Sequence, residues 1–156
     1  MELFDFLNKF ADYSYDFPLE NILGEDSNAI DERSHPEDME DISIELKKNN
    51  IIKKEESVKC VDLILLNRLS VSPHSDKDFL EGIDAKKAYL FVLDMRKSND
   101  FDYTFSLSDF YLYFYKENYP EKGFKKINIG DWVEFDPSEE HALINNFETK
   151  LLTVWV

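Results

Sequence analysis

The chain has 156 residues, 43% of them apolar and 15% aromatic, a length suited to one domain and a composition too rich in bulky side chains for a disordered segment. Thirty-three Asp and Glu outweigh 18 Lys and Arg, a net charge of −15 whose field repels phosphate backbones and attracts basic proteins or cations. A single cysteine, Cys60, excludes an intrachain disulfide and a cysteine-based zinc site, and no apolar run approaches the roughly 18 residues that span a bilayer.

The first residues lack the basic and long apolar stretches of a signal peptide, so a cytoplasmic location is expected. Leu3, Phe4, Phe6, Leu7, Phe10 and Ala11 recur at spacings of three and four and predict an amphipathic helix over residues 2–13, with Pro18 barring its continuation. From Glu25 to Asp41 acidic residues dominate and large apolar ones are few, which predicts a solvated loop with short helical turns. A second helix is expected from near Pro36 to about Lys48, its first turn acidic as the helix dipole favours.

The apolar segment Val58 to Val71 reads as one core strand. Pro73-His74-Ser75-Asp76 is turn chemistry, followed by a short helix from Asp76 to Glu81 that Gly82 stops. Ala88–Met95, Asp102–Leu107, Phe110–Tyr115, Trp132–Phe135 and Leu151–Val156 are rich in aromatic and β-branched residues and read as antiparallel strands separated by turn residues. The resulting expectation is an α+β fold in one domain spanning 1–156, with N-terminal helices packed on a twisted antiparallel β-sheet or a partly open β-barrel. Residues 1–85 form the acidic, helix-containing half, 9 basic against 21 acidic side chains, and residues 86–156 the β-rich half, 9 against 12.

Catalytic signals are sparse. His35, His74 and His141 lie in separate polar segments without the spacing that presents two imidazoles to one metal, so each reads as a surface or turn histidine and no metal or cofactor is expected. His74, beside Asp76, is the first choice if a general base is sought. Cys60 reads as a small hydrophobe in a strand, and the four glycines form no phosphate-binding loop. The acidic stretch lacks the geometry of a calcium loop. A non-enzymatic binding protein is therefore expected, with no catalytic residue, no membrane association, and a docking surface of Asp31, Glu32, Glu37, Asp38, Glu40 and Asp41 for a basic partner. Tyr111 and Tyr113 share one strand face and would supply aromatic anchors beside it.

Between Lys87 and Phe135, the order Tyr103-Thr104-Phe105, then Asp109 to Phe114, then Gly123-Phe124 and Ile129 to Phe135 resembles the strands of cold-shock and oligonucleotide-binding barrels. That resemblance implies single-stranded nucleic-acid binding through Tyr103, Phe105 and Phe110, assisted by Lys125 and Lys126. In overall character, small, acidic, aromatic-rich and without catalytic machinery, the chain is similar to bacterial immunity proteins, which implies inhibition of a basic toxin, most simply a nuclease. Inhibition is the leading expectation and the nucleic-acid module its alternative.

Overall fold

The structure is a computed structural model and describes residues 2–15, 29–33, 36–67, 70–80, 82–96, 112–116 and 124–156. Helix α1 spans Glu2–Tyr15 and turns Leu3, Phe4, Leu7 and Ala11 inward, the stripe that its three- and four-residue spacing predicts. Helix α2, Pro36–Lys48, starts on a proline, whose missing N–H costs nothing at the first helical turn. It ends in a Schellman motif. Asn50 takes a left-handed conformation at φ 58°, the Ile51 amide donates to the Leu46 carbonyl at 3.0 Å, and the Asn50 amide donates to the Lys47 carbonyl at 3.0 Å.

Two antiparallel sheets make up most of the fold. One has the order β1-β2-β9-β4-β7, formed by Ala29–Arg33, Cys60–Asn67, Glu148–Trp155, Ala88–Arg96 and Trp132–Phe135. The other has the order β3-β8-β5-β6, formed by Val71–His74, His141–Asn145, Leu112–Lys116 and Lys125–Lys126. A single helical turn, α3 at Lys77–Leu80, follows β3. Among the described residues no helix is long and apolar enough to cross a membrane.

Period-two alternation gives the five-stranded sheet two apolar faces. Val61, Leu63, Tyr89, Phe91, Leu152 and Val154 cluster with the inward residues of α1 and α2, and Phe4 meets Phe91 edge to face at 6.0 Å. Cys60, Leu66, Leu90, Leu151 and Trp155 join Leu112, Phe114 and Leu143 of the four-stranded sheet in a second cluster. β9 is buried along its whole length because strands flank both its edges and apolar layers cover both its faces.

Three expectations change. The acidic stretch is not simply a loop: Ala29–Arg33 pairs antiparallel with β2, a partnership that supplies backbone hydrogen bonds and leaves no mark on composition. The segment Val58–Val71 is not one strand, because the chain leaves the first sheet after Asn67 and enters the second at Val71. There β3 lies at a sheet edge, where Pro73 does least harm to a ladder. Finally, the described strands between residues 87 and 135 form no barrel of their own. β4 and β7 belong to one sheet, β5 and β6 to the other, and each pair depends on a later strand, β9 or β8, for its remaining partner.

Candidate metal centre

A half-open cavity of about 500 Å³, within the range of small-molecule sites, lies between the two sheets. Its walls are mainly apolar, and include Ile64, Leu90, Phe114, Phe135, Leu143 and Trp155. At one side His74, Asp76 and His141 converge, with one ligand atom from each lying within 4.8 Å of the others.

Local structure positions each group. His74 ends β3 and His141 begins β8, and the antiparallel register sets them opposite each other across an irregularity in the ladder. Their rings stand 4.5 Å apart at 59°, and Phe135 packs against His141 at 4.6 Å. Asp76 precedes α3: its carbonyl accepts from the Leu80 amide at 2.9 Å, while its own amide donates to the Pro137 carbonyl at 2.7 Å. That second bond ties the β3–α3 turn to the β7–β8 turn. The Trp155 indole Nε1 donates to Asp76 Oδ2 at 3.3 Å and orients the carboxylate from the opposing sheet.

The hydrogen-bond chemistry fixes the face each imidazole presents. His74 Nδ1 lies 2.8 Å from the Ser72 carbonyl oxygen and His141 Nδ1 lies 2.9 Å from the Glu139 carbonyl oxygen. A carbonyl only accepts, so both Nδ1 atoms carry the proton and, in the neutral rings, both Nε2 atoms present lone pairs. Those Nε2 atoms stand 3.5 Å from Asp76, His74 against Oδ1 and His141 against Oδ2. Two lone pairs and a carboxylate facing one another make a donor set for a cation, whether a metal ion or the proton of an imidazolium–Asp76 ion pair. The spacing suits a metal ion: two ligands each about 2.0–2.1 Å from a tetrahedral ion lie about 3.4 Å apart. Backbone carbonyls holding the far ring nitrogens are the usual outer-shell support of metal-binding histidines.

His141 is thus buried in a site, where the sequence suggested a surface or turn histidine. The histidine spacing looked wrong for a metal because the second imidazole arrives through strand pairing. The signal that was legible is His74-x-Asp76. His35 lies outside the described residues.

Of the residues expected to bind partners, the described side chains, those of Glu40, Asp41, Tyr113, Lys125 and Lys126, do not line this cavity. Glu40 and Asp41 are exposed on α2, and Asp31, Glu32, Glu37 and Asp38 belong to β1 and α2, with side chains outside the described residues. Tyr113 is half-buried in β5, while Lys125 and Lys126 are exposed on β6, opposite Phe114 and Tyr113. Tyr103, Phe105, Phe110 and Tyr111 lie outside the described residues.

No family model matches the chain, and neither does any curated protein. Similar solved structures include a conserved protein of unknown function from Streptococcus pyogenes, at 10% identity and TM-score 0.48 over 90% of this chain and 84% of that one. An RmlC-like cupin from Desulfovibrio desulfuricans matches at 11% identity and TM-score 0.47, over 86% of this chain and 92% of the cupin. A cupin superfamily protein from Desulfitobacterium hafniense matches at 9% identity and TM-score 0.43, over 90% and 88%.

These findings correct the functional expectations. The similar structures named above include two cupins and no immunity protein or oligonucleotide-binding barrel, and the described strands between residues 87 and 135 do not close into such a barrel. The expectation of a chain without metal-ligating or catalytic groups gives way to the His74–Asp76–His141 cluster. With it goes the basic toxin as partner, which rested on net charge, whereas the convergent chemistry lies inside the fold.

Proposed function

We propose that the chain binds a divalent first-row metal ion through His74 Nε2, His141 Nε2 and the Asp76 carboxylate, and uses it to hold or activate a small molecule in the cavity between the sheets. The observation that carries this reading is the orientation of the two imidazoles, each donating Nδ1–H to a backbone carbonyl and so turning an Nε2 lone pair towards Asp76. Two histidines and one carboxylate are a donor set suited to zinc or iron(II), with coordination positions left for a ligand. Bound there, the ion would supply Lewis acidity beside an apolar chamber. The chain's own residues would exclude water through Phe114, Phe135 and Leu143, and hold the carboxylate in place through Trp155.

Titration of the metal-free protein with cobalt(II) tests the proposal, because tetrahedral and five-coordinate cobalt absorb in the visible where the protein does not. A saturable band at one equivalent, lost in Asp76→Ala and His141→Ala and displaced by zinc, is the expected result. A flat spectrum, or a band that survives both substitutions, would overturn it.

A further inference from the structure

A second recess, of about 530 Å³, opens on the opposite face of the five-stranded sheet, where Tyr89 of β4 and Trp132 and Glu134 of β7 meet the end of α2 and the segment that follows it. It forms because the helical layer stops short of the sheet edge. The buried cluster beneath α1 and α2 takes its strand residues from β2, β4 and β9 and none from β7. Trp132 leans on Tyr89 and Phe91, with ring centroids 5.9 and 6.2 Å away, and remains 40% exposed. A broad indole left in water beside a recess is a surface on which a planar ring can stack.

The charge around this recess runs against that of the chain. Residues 47–54 read Lys-Lys-Asn-Asn-Ile-Ile-Lys-Lys, four lysines and no carboxylate in a protein of net charge −15. The left-handed turn at Asn50 folds the run back, so Lys47 from one end and Lys53 and Lys54 from the other line the same space, together with Lys87. Glu55, Glu56 and Glu134 line it too. Glu56 accepts from the Lys53 amide at 2.8 Å and lies 3.3 Å from Lys87 Nζ, while Glu134 accepts from the Tyr89 hydroxyl at 3.3 Å and lies 3.9 Å from the same Nζ. Lys87 is therefore committed to two carboxylates, whereas among the described residues no ion pair holds Lys47, Lys53 or Lys54. Four lysines against three glutamates favour one anionic group, and within the field of so acidic a chain they are too few for a polyanion.

We infer that this recess binds a small planar aromatic monoanion, with its ring on Trp132 and its carboxylate, or an equivalent group, among Lys47, Lys53 and Lys54. Ring and charge act together, because an exposed ion pair alone contributes little. The site is independent of the metal reading, since the five-stranded sheet separates it from the His74–Asp76–His141 cluster.

The test titrates the metal-free protein and follows its indole Nε1–H resonances by heteronuclear NMR. The chain has two tryptophans, Trp132 at this recess and Trp155 at the cavity between the sheets, so each site carries its own reporter, and Trp132→Phe tells the two signals apart. The probes are 2-naphthoate, 2-naphthylmethylamine and acetate. Saturable movement of the Trp132 signal by 2-naphthoate is expected, with an affinity about tenfold or more above that of the amine, and no response to acetate over the same range. Replacing two exposed side chains together, Lys53→Gln and Lys54→Gln, should weaken 2-naphthoate about tenfold and leave the amine no weaker. A Trp132 signal that does not move, movement confined to Trp155, an amine that binds as tightly as the acid, or naphthoate binding unchanged by the lysine substitutions would each overturn the inference. None of these outcomes bears on whether the other cavity takes up a metal.

Discussion

His74 and His141 stand opposite each other in the register of β3 and β8, yet only His141 is buried, its side chain 8% exposed against 43% for His74. The pair therefore separates ligation from packing. His74→Ala should weaken cobalt binding by more than about 100-fold while moving the thermal midpoint little, since outer-shell losses alone reach about 10–100-fold. His141→Ala should weaken it similarly and also destabilise the fold by about 1–2 kcal/mol, because the ring packs on Phe135. Spectroscopic titration and urea unfolding of the metal-free variants separate the two effects.

Trp155 donates its Nε1–H to Asp76 Oδ2 and would orient that carboxylate without itself being a ligand. Trp155→Phe keeps most of the aromatic surface and removes the Nε1–H donor, so metal affinity should fall by about 10–100-fold with the coordination spectrum otherwise preserved. An unchanged zinc dissociation constant in competition with a chelator would show that the indole only packs.

The junction between α2 and the segment leading into β2 depends on one buried hydrogen bond, from the Val58 amide to Ser43 Oγ at 2.8 Å. Ser43→Ala leaves that amide unsatisfied in the core and should cost about 1–3 kcal/mol by equilibrium unfolding. Ser43→Thr, which retains the hydroxyl, should recover part of the loss.

Glu56 gives a pH signature remote from the cavity. Its carboxylate accepts from the Lys53 amide at 2.8 Å and lies 3.3 Å from Lys87 Nζ, and these two partners, the amide foremost, hold its pKa below the ordinary carboxylate value. A group whose pKa is depressed by folding stabilises the protein above its unfolded pKa and ceases to do so as pH falls through the folded value. The stability gap between the parent protein and Glu56→Gln should thus be full near neutrality and shrink below about pH 4. Thermal midpoints measured across that range would show a constant gap if the contact were solvent-screened throughout.

Much of the local structure was legible because it follows from short-range physics. The α1 stripe, the proline start of α2 and the strand Trp132–Phe135 each express a period or a backbone restriction contained within a few residues. β1 and β8 were not. Ala29–Arg33 is mostly polar, and His141–Asn145 carries its apolar residues in too short a run to stand out from the surrounding loops. Each is a strand because a neighbour accepts its ladder, and β-propensity reports packing context more than intrinsic preference.

The sequence by itself determined an acidic, apolar-rich α+β chain with amphipathic helices and antiparallel strands, since composition and periodicity act through solvent and through neighbours in the chain. It also placed His74 two residues from Asp76. Tertiary structure alone decided that His141 completes the cluster, that Trp155 orients it, and that Trp132 shares a recess with Lys47, Lys53 and Lys54. Those relationships depend on which strands pair and on which sheet each strand joins, and a one-residue change of register would turn the same side chains to the opposite face.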